Sequence, residues 1–392
     1  MKKIVILGGS PAAVCAIEQI RSADQESEIS LICFDNYLPA NRELFHQVLA
    51  QTIKPEQAFY KPKDFYGHHR VNLLLNEKIA RINLKRKVVV TENKTQLEFD
   101  ILLIADTPGY RFADIKGNTK ESIYGLRRLG DIDTIVKNFP FIDVVAIQSD
   151  TLSGLQAAIG FLKAKKEASL IASSASIWNR IFENDAIEWI KSVWESKGLN
   201  FVVNNSIAEL LGEGSVKAVR LNSGKVLASD MAIFSEANCD LRLFSESPLQ
   251  FDSKISVDAQ FKTNLDYVFA LDFVCNSYGQ EDLMPLSLLE AQGAVAGHKI
   301  MGQDVALAPI LLERHLAIDD FSLIVLGDIA GKEGQGERHF EAASGVYKKL
   351  YVEGQRLVGA VLVNLDHEKE KYKKIIEEKT DFKALEENLM AP

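Results

Sequence analysis

The stretch KIVILGGSPAAVCAIEQIR, Lys3 to Arg21, followed by EISLICFD, Glu28 to Asp35, decides the fold of this 392-residue chain. An apolar run predicts a buried strand, a turn of glycine, serine and proline follows, and apolar residues at helical spacing then predict a helix. The second stretch predicts another strand that ends at Asp35. Together they form a βαβ unit, in which small turn residues let the backbone approach a diphosphate and the acid binds a ribose.

A second stretch with this pattern, VVAIQSDTLSGLQAA, runs from Val144 to Ala158. It predicts a strand over 144–147 and the first turns of a helix from Gly154. Other residues stand where a nucleotide site carries its glycines. Side chains at Gln148 and Asp150 would occupy the space that the phosphates need, and an ionised Asp150 would repel them. The sequence therefore predicts a second nucleotide-binding fold whose nucleotide site is lost.

The remaining patterns predict three domains. LEFDILLIAD (97–106) and YVFALD (267–272) predict buried strands, and a helix is predicted from Pro285. From about residue 306 the pattern changes to strands followed by a charged helix. We therefore predict an α/β protein with two nested Rossmann-like domains and a C-terminal α+β domain. The predicted boundaries are 1–112 with 241–305 for the first domain, 113–240 for the second and 306–392 for the third.

The composition indicates a soluble globular protein and narrows its partners. A formal net charge of −9 argues against nucleic acid or an anionic membrane surface as the main partner. No apolar run approaches transmembrane length. The four cysteines are far apart and form no C-x-x-C pair, so neither a metal site nor a redox dithiol is indicated. A reducing cytoplasm is the simplest expected location.

The chain resembles the FAD-dependent pyridine nucleotide-disulfide oxidoreductases, most of all their NADH:rubredoxin reductase and nitrite-reductase-like branch. The resemblance covers essentially the whole length and rests on ILGGSPAAV, DNYLPANREL, FDILLIAD, YVFALD with EAQGAVAGHKIMG, and RLVGAVLVNLDHEKEKYKKIIEEKTDF. It implies nested, glutathione-reductase-like FAD and NAD(P) domains. The residues that it assigns to FAD are Gly8, Gly9, Ser10, Ala12 and Ala13 at the diphosphate, Asp35 at the ribose, Ile79 at the adenine, Asp272 at the ribityl chain or a phosphate, and Arg42, Ala105 and Pro285 around the flavin.

The FAD site departs from the family pattern at a few positions. Asp106 replaces a threonine, Leu271 replaces a glycine, and Gln47 replaces a lysine near the flavin. Fewer positions are lost here than in the second unit, so we expect FAD to be bound. The candidate catalytic residues are Arg42 and His46, which lie in the segment that the resemblance places over the flavin.

The NAD(P)H site departs further. Phe234 replaces a glycine that borders the nicotinamide in the family, and the strand ending at Ser174 has no acid for an NAD ribose and no arginine for a 2′-phosphate. Together with the altered turn after Ile147, these changes predict that NAD(P)H is not bound.

Three hypotheses for the function stay open. The first is a flavoprotein that exchanges electrons with a redox protein partner, rubredoxin-like or iron–sulfur, without using NAD(P)H. The second is an inactive reductase homologue that acts as a binding or assembly subunit, with structural FAD or none. The third is an NAD(P)H-dependent rubredoxin-type reductase with an unusual nucleotide turn. A homo-oligomer and a subunit of a larger complex are both compatible with the sequence.

Overall fold

The fold is seen in a computed structural model, in which the described residues are 1–107, 110–111, 115–173, 184–235, 238–276, 284–308, 310–318, 321–327, 329, 337–341 and 345–380. With strands numbered along the chain, the first sheet contains β1 (Lys3–Leu7), β2 (Glu28–Ile32), β3 (Val71–Leu74), β7 (Ile101–Ile104) and β18 (Val268–Ala270). All its pairs are parallel, and the strand order is β18-β7-β1-β2-β3. The predicted return strand thus joins the edge of the first sheet.

Two helices pack closely on this sheet. Helix α1 (Pro11–Ala23) connects β1 to β2, as predicted, and lies against helix α7 (Leu286–Ile300). A Cβ atom at Gly293 would be 2.1 Å from the carbonyl oxygen of Ala12. The small residues of α7 therefore allow the two helix backbones to approach each other.

The prediction of a buried strand over 97–106 is confirmed for β7 (Ile101–Ile104) and was wrong for the residues before it. Residues Gln96–Glu98 form β6, which belongs to an antiparallel sheet with β4 (Ile79–Asn83) and β5 (Val88–Thr91). The chain changes sheets at Asp100, whose carboxylate accepts a hydrogen bond from the backbone N–H of Lys3 at 2.8 Å. Two short strands in different sheets produce the same apolar run as one long strand.

The second unit repeats the parallel arrangement. Its sheet has the order β12-β11-β10-β16-β9, and its strands are β9 (Ile123–Tyr124), β10 (Val144–Gln148), β11 (Glu167–Ile171), β12 (Leu199–Val202) and β16 (Met231–Phe234). The helices of this unit are α4 (Leu129–Asn138), α5 (Leu152–Lys163) and α6 (Asn184–Ser196). Helix α5 begins two residues before the predicted Gly154, and β10 extends one residue past Ile147.

Shorter elements accompany the two units. An antiparallel sheet of β13 (Ile207–Leu211), β14 (Ala218–Leu221) and β15 (Val226–Ala228) adjoins the second unit. Strands β8 (Tyr110–Arg111) and β17 (Asn238–Cys239) pair where the chain passes between the units. The short helices are α2 (Phe45–Leu49), which packs against α4 and α5, and α3 (Asp64–His68).

The C-terminal region contains an antiparallel sheet and a helix, as the predicted α+β domain requires. The sheet order is β19-β20-β23-β22-β21, and the elements are β19 (Glu313–Ile318), β20 (Phe321–Gly327), β21 (Glu337–Glu341), β22 (Val346–Glu353), β23 (Arg356–Val363) and helix α8 (Lys369–Glu377). The sequence did not predict β19 or β21. Trp194 of α6 is fully buried against Phe321, with ring centroids 4.9 Å apart, so this sheet shares its core with the second unit.

The expectations from composition concern cysteine pairing, membrane-spanning helices and metal sites. All four cysteines are free, and burial raises the pKa of Cys15 to about 11 and that of Cys239 to about 12. Of the helices that the structure describes, none combines the length and apolar character needed to cross a membrane. Within the same residues, His, Cys, Asp and Glu side chains form no cluster that could hold a metal ion.

Candidate functional site

The turn between β1 and α1 shows why its small residues are needed. Gly8 has a φ of +96°, and a Cβ atom there would be 2.3 Å from Cβ of Asp106. Ser10 caps the helix, and its Oγ accepts a hydrogen bond from the backbone N–H of Ala13 at 3.3 Å. Pro11 occupies the first helical position, where no backbone donor is needed. The turn therefore places the positive end of α1 at the edge of the sheet.

A narrow cleft opens at this turn, between the two units. Its free volume is about 50 Å³, which leaves room for a few water molecules only. The residues that line it are Gly9, Ser10, Pro11, Cys33, Phe34, Asp35, Tyr37, Leu38, Ala40, Arg42, Phe45, Ala105, Asp106, Arg127, Arg128, Leu129, Asp272 and Phe273.

Arg42 and Asp272 form a buried ion pair across the cleft. Nη2 of Arg42 is 2.9 Å from Oδ1 and 3.2 Å from Oδ2 of Asp272. The backbone N–H of Phe273 donates to the same carboxylate at 2.7 Å, and Gln292 accepts the N–H of Asp272 at 3.0 Å. Asp272 has a φ of +59°, which a residue other than glycine seldom adopts. These contacts hold an uncommon backbone conformation at the end of β18.

A second ion pair lies beside the β1–α1 turn. Nη2 and Nε of Arg128 are 3.0 Å and 3.2 Å from Oδ2 of Asp106, and Nη2 also donates to the carbonyl oxygen of Thr107. Each side chain of the pair is 16% exposed. The neighbouring guanidinium of Arg127 lies 3.0 Å from the centroid of the Phe273 ring. Three arginines therefore share the cleft with three carboxylates.

Asp35, the predicted ribose ligand, is already bound to the start of α4. Its Oδ2 accepts a hydrogen bond from the N–H of Gly130 at 2.8 Å, and Oδ1 accepts one from Tyr37 at 3.3 Å. Burial raises the pKa of Asp35, an effect that the backbone hydrogen bond from Gly130 opposes. A Cβ atom at Gly130 would be 2.5 Å from Oδ1, so only glycine permits this approach.

The cleft brings together some of the predicted site residues and leaves others outside its lining. Gly9, Ser10, Asp35, Arg42, Ala105 and Asp272 line it. Outside the lining are Gly8, Ala12, Ala13, Ile79, His46 and Pro285. Gly8 is pressed against Asp106, and Ala12 and Ala13 are buried in α1. Ile79 pairs with Thr91 in the antiparallel sheet, and Pro285 precedes α7.

The second candidate catalytic residue, His46, occupies a different environment from Arg42. It belongs to α2, which packs against α5 of the second unit. Its backbone carbonyl oxygen would be 2.8 Å from a Cβ atom at Gly160. Burial lowers the pKa of His46, which favours the neutral imidazole. Arg42 is thus the candidate that reaches the cleft.

Sequence reasoning missed Arg127, Arg128 and Gly130. They lie in LRRLGDID, residues 126–133, directly before and within the first turn of α4. Two adjacent arginines followed by a glycine at a helix start were the available signal, because helix starts and arginines both bind phosphate groups.

In the second unit, the turn between β10 and α5 is filled by its own side chains. The carboxylate of Asp150 accepts hydrogen bonds from the N–H and Oγ of Ser173, at 2.6 Å and 2.5 Å. Oε1 of Gln148 accepts the N–H of Ile207 at 2.7 Å. Ser149 is buried, and its Oγ accepts a hydrogen bond from Ser235 at 2.6 Å. Ser174, at the predicted end of the second strand of this unit, lies outside the described residues.

Comparison with known families identifies the group to which this site belongs. The profile described as "Pyridine nucleotide-disulphide oxidoreductase" matches residues 2–284.

This chain belongs to the pyridine nucleotide-disulphide oxidoreductase family. The profile "Rubredoxin NAD+ reductase C-terminal domain" matches residues 314–380 of the same chain. Members of the family are FAD-dependent oxidoreductases, as the resemblance implied.

Two curated relatives and one solved structure illustrate the similarity. "Nitrite reductase [NAD(P)H]" of Bacillus subtilis (strain 168) is 23% identical over 97% of this chain and 48% of the relative. "Assimilatory nitrate reductase electron transfer subunit" of the same organism is 22% identical over 100% of this chain and 51% of the relative. The chain thus spans about half the length of these relatives. The structure of the covalent putidaredoxin reductase–putidaredoxin complex superposes with a TM-score of 0.81 at 18% identity, covering 96% of this chain and 93% of that chain.

The donor set of the cleft fits FAD, the cofactor that this family implies. The helix start, the carboxylate of Asp35 and the arginines match a diphosphate and a ribose. The free volume of about 50 Å³ is well below the ~300 Å³ or more of typical ligand sites. FAD therefore needs a wider cleft than the one seen in this structure.

Proposed function

We propose that this chain is an FAD-binding electron-transfer protein that exchanges electrons with a redox protein partner and does not bind NAD(P)H itself. The observation that carries the proposal is the turn at Ser149–Thr151, whose polar groups bond to one another where a nucleotide would need them. Membership of a flavoprotein family supports the cofactor, and the two nucleotide-type units differ in how much of their binding chemistry they keep.

The residues proposed to hold FAD lie along one cleft. The N–H groups at the start of α1 bind the diphosphate, and Asp35 binds the adenosine ribose. Arg42 and Asp272 hold the opposite end of the cleft, where Asp272 accepts hydroxyl groups of the ribityl chain. When bound, the flavin supplies electron transfer in steps of one or two electrons. Arg42 would place a positive charge beside the bound flavin, where it would favour negative charge.

The case against direct NAD(P)H use rests on three neighbouring features. Asp150 places a carboxylate, fixed by Ser173, at the start of α5, where phosphate would bind. Phe234 is buried and pairs in register with Gln148 on the adjacent strand. Strand β11 is followed by Ala172 and Ser173, and neither of these two residues is an acid that could bind an NAD ribose.

The partner is proposed to be a small rubredoxin-like or iron–sulfur protein. The family profile at 314–380 carries the name of a rubredoxin reductase domain, and one similar structure is a complex with putidaredoxin. A cytoplasmic location and a homo-oligomeric state, or a place in a larger complex, stay predictions.

The test is anaerobic spectroscopy of the purified protein loaded with FAD. Flavin absorbance that persists with NADH and NADPH, and bleaches with a chemically reduced rubredoxin or ferredoxin, is the expected result. Rapid bleaching by NADH would contradict the proposal and support a working NAD(P)H reductase, as the names of several relatives suggest. As a control for binding, the apoprotein is incubated with FAD and the unbound FAD is removed by gel filtration. The flavin that stays with the protein is then measured.

One observation favours a second candidate function. The cleft is narrow, and its acids and arginines bond to each other. A reductase homologue retained as a binding or assembly subunit would need no flavin and could keep the cleft closed. If the protein binds no FAD at an FAD concentration of about 0.1 mM, which is far above the usual Kd of such cofactors, this second function replaces the first.

A further inference from the structure

Asp106 stands where a negative charge would oppose the proposed cofactor. Its backbone N–H donates to the carbonyl oxygen of Leu7 at 3.1 Å, and its Cβ lies against the Gly8 backbone. The carboxylate is thus fixed beside the β1–α1 turn, at the start of the helix that binds a diphosphate. A carboxylate and a phosphate a few ångströms apart repel each other strongly in a partly buried site, where the effective dielectric constant is well below that of water.

Arg128 is held against this carboxylate from several sides. Its guanidinium bonds Oδ2 of Asp106 and the carbonyl oxygen of Thr107, and it lies 5.3 Å from the centroid of the Phe34 ring. Its backbone N–H donates to Oδ2 of Asp131 at 3.1 Å, which fixes the start of α4. The side chain therefore has a defined position, unlike that of a solvent-exposed arginine.

The other two arginines in the cleft face different groups. Arg42 pairs with Asp272, and Arg127 lies over the ring of Phe273. Asp35 accepts the Gly130 N–H, and Gly130 lies only two residues beyond Arg128. The position of Arg128 thus affects two groups of the cleft: the charge on Asp106 and the location of the helix start that bonds Asp35.

We propose that Arg128 and Asp106 act as one unit, in which Arg128 is a positioning residue that neutralises Asp106 and so lets the diphosphate of FAD lie at the start of α1. This inference rests on the proposed function, because it concerns the binding of the same cofactor. The benefit of Arg128 depends on Asp106: with the acid removed, the arginine is no longer required for FAD to bind.

The experiment is a double-mutant cycle on FAD affinity, measured by fluorescence titration of the apoprotein with FAD. R128Q leaves the carboxylate without its guanidinium and weakens binding roughly 10- to 100-fold. D106N binds FAD at least as tightly as the wild type, and D106N/R128Q returns to within about threefold of it. R128K keeps the positive charge but lacks the planar guanidinium group, so its FAD affinity lies between those of the wild type and R128Q. The weakening in R128Q decreases as salt is added.

The matched control is the Arg220–Glu209 ion pair, with 3.0 Å between Nε and Oε2, on strands β13 and β14 away from the cleft. R220Q, E209Q and the double variant leave FAD affinity unchanged. The melting temperatures of all the apoproteins are measured as well. If the Arg128–Asp106 pair had only a structural role, its loss would change stability, and the double variant would not recover FAD affinity.

Three results would overturn the inference while leaving the proposed function in place. Equal weakening in R128Q and D106N/R128Q would mean that Arg128 acts on the cofactor independently of Asp106. Weaker FAD binding by D106N alone would mean that the acid itself supports binding. This result can be obtained even if R128Q does not fold. Unchanged affinity in R128Q would remove any role for the pair. If the wild-type apoprotein binds no FAD, the proposed function fails first and the inference with it.

Discussion

Arg42 and Asp272 are 230 residues apart in the sequence, yet their side chains meet at 2.9 Å across the cleft. The arginine side chain is 11% exposed and that of the aspartate 2%. The pair joins the segment after β2 to the end of β18. It therefore connects two separate parts of the sequence that build the FAD-type domain.

Replacing Arg42 by methionine should lower the free energy of unfolding of the apoprotein by about 3 kcal/mol, because a buried carboxylate loses its charged partner. Urea unfolding followed by circular dichroism measures the change. Adding Asp272→Asn should recover part of the loss, since no charge is then left buried. If the losses of the two single variants simply add in the double variant, so that it is less stable than R42M, the result would contradict this account.

The contact between α1 and α7 predicts a second effect on stability. Gly293→Ala places a Cβ atom 2.1 Å from the carbonyl oxygen of Ala12, and the overpacking should cost about 1–3 kcal/mol despite the better helix propensity of alanine. Gly67 of α3 is the control, because no atom lies within 4 Å of its Cβ position. Gly67→Ala should leave the thermal midpoint unchanged or raise it. Equal losses at both positions would show that close packing is not the cause.

The sequence predicted the parts of the fold that depend on local patterns. The apolar run before Gly8, the turn and the helix that follows determine one another within about 30 residues, and so the βαβ unit and the placement of Asp35 were recoverable. The return strand ending near Asp272 was also recoverable. The break near Asp100 was not, because an apolar run does not indicate which sheet each half joins.

The charged lining of the cleft could not be predicted in the same way. Asp35 accepts the N–H of Gly130, which is 95 residues away in the sequence. Whether an arginine before α4 reaches Asp106 depends on how α4 packs against the first unit, and no local pattern encodes that. Asp272, which has a positive φ, likewise bonds to Arg42 and Gln292, and no local pattern indicates these partners.

Asp131 predicts a measurable pH dependence of stability. Burial raises its pKa from 3.8 to about 6, so between pH 4 and 6 the folded protein binds more protons at this site than the unfolded chain does. The contribution of Asp131 to stability therefore falls as pH rises through this range, by on the order of 1–2 kcal/mol.

Asp131→Asn keeps an acceptor for the Arg128 N–H and removes the titration. The difference in unfolding free energy between wild type and variant should favour the variant more at pH 7 than at pH 4. Urea titrations at the two pH values measure this difference. A difference that is the same at both pH values would contradict the raised pKa.

The turn after β10 gives the sharpest prediction about nucleotide use. Replacing Gln148, Asp150 and Phe234 together by glycine removes two side chains at the ends of β10 and β16 and the negative charge of Asp150 just before α5. It should create NADH binding with a Kd of order 0.1 mM, visible by calorimetry, where the wild type gives no heat. Glycine at position 150 removes the carboxylate that now stands beside the start of α5, where a phosphate would bind.

Asp150→Asn separates charge from space in this turn. It keeps the volume and the acceptor for Ser173 but removes the charge, so it should gain at most weak NADH binding. Wild-type binding as tight as that of the triple variant would show that the turn is a working nucleotide site. A triple variant that folds but gives no heat would mean that NADH binding was lost for another reason, because the second unit then fails to bind NADH even with these glycines restored.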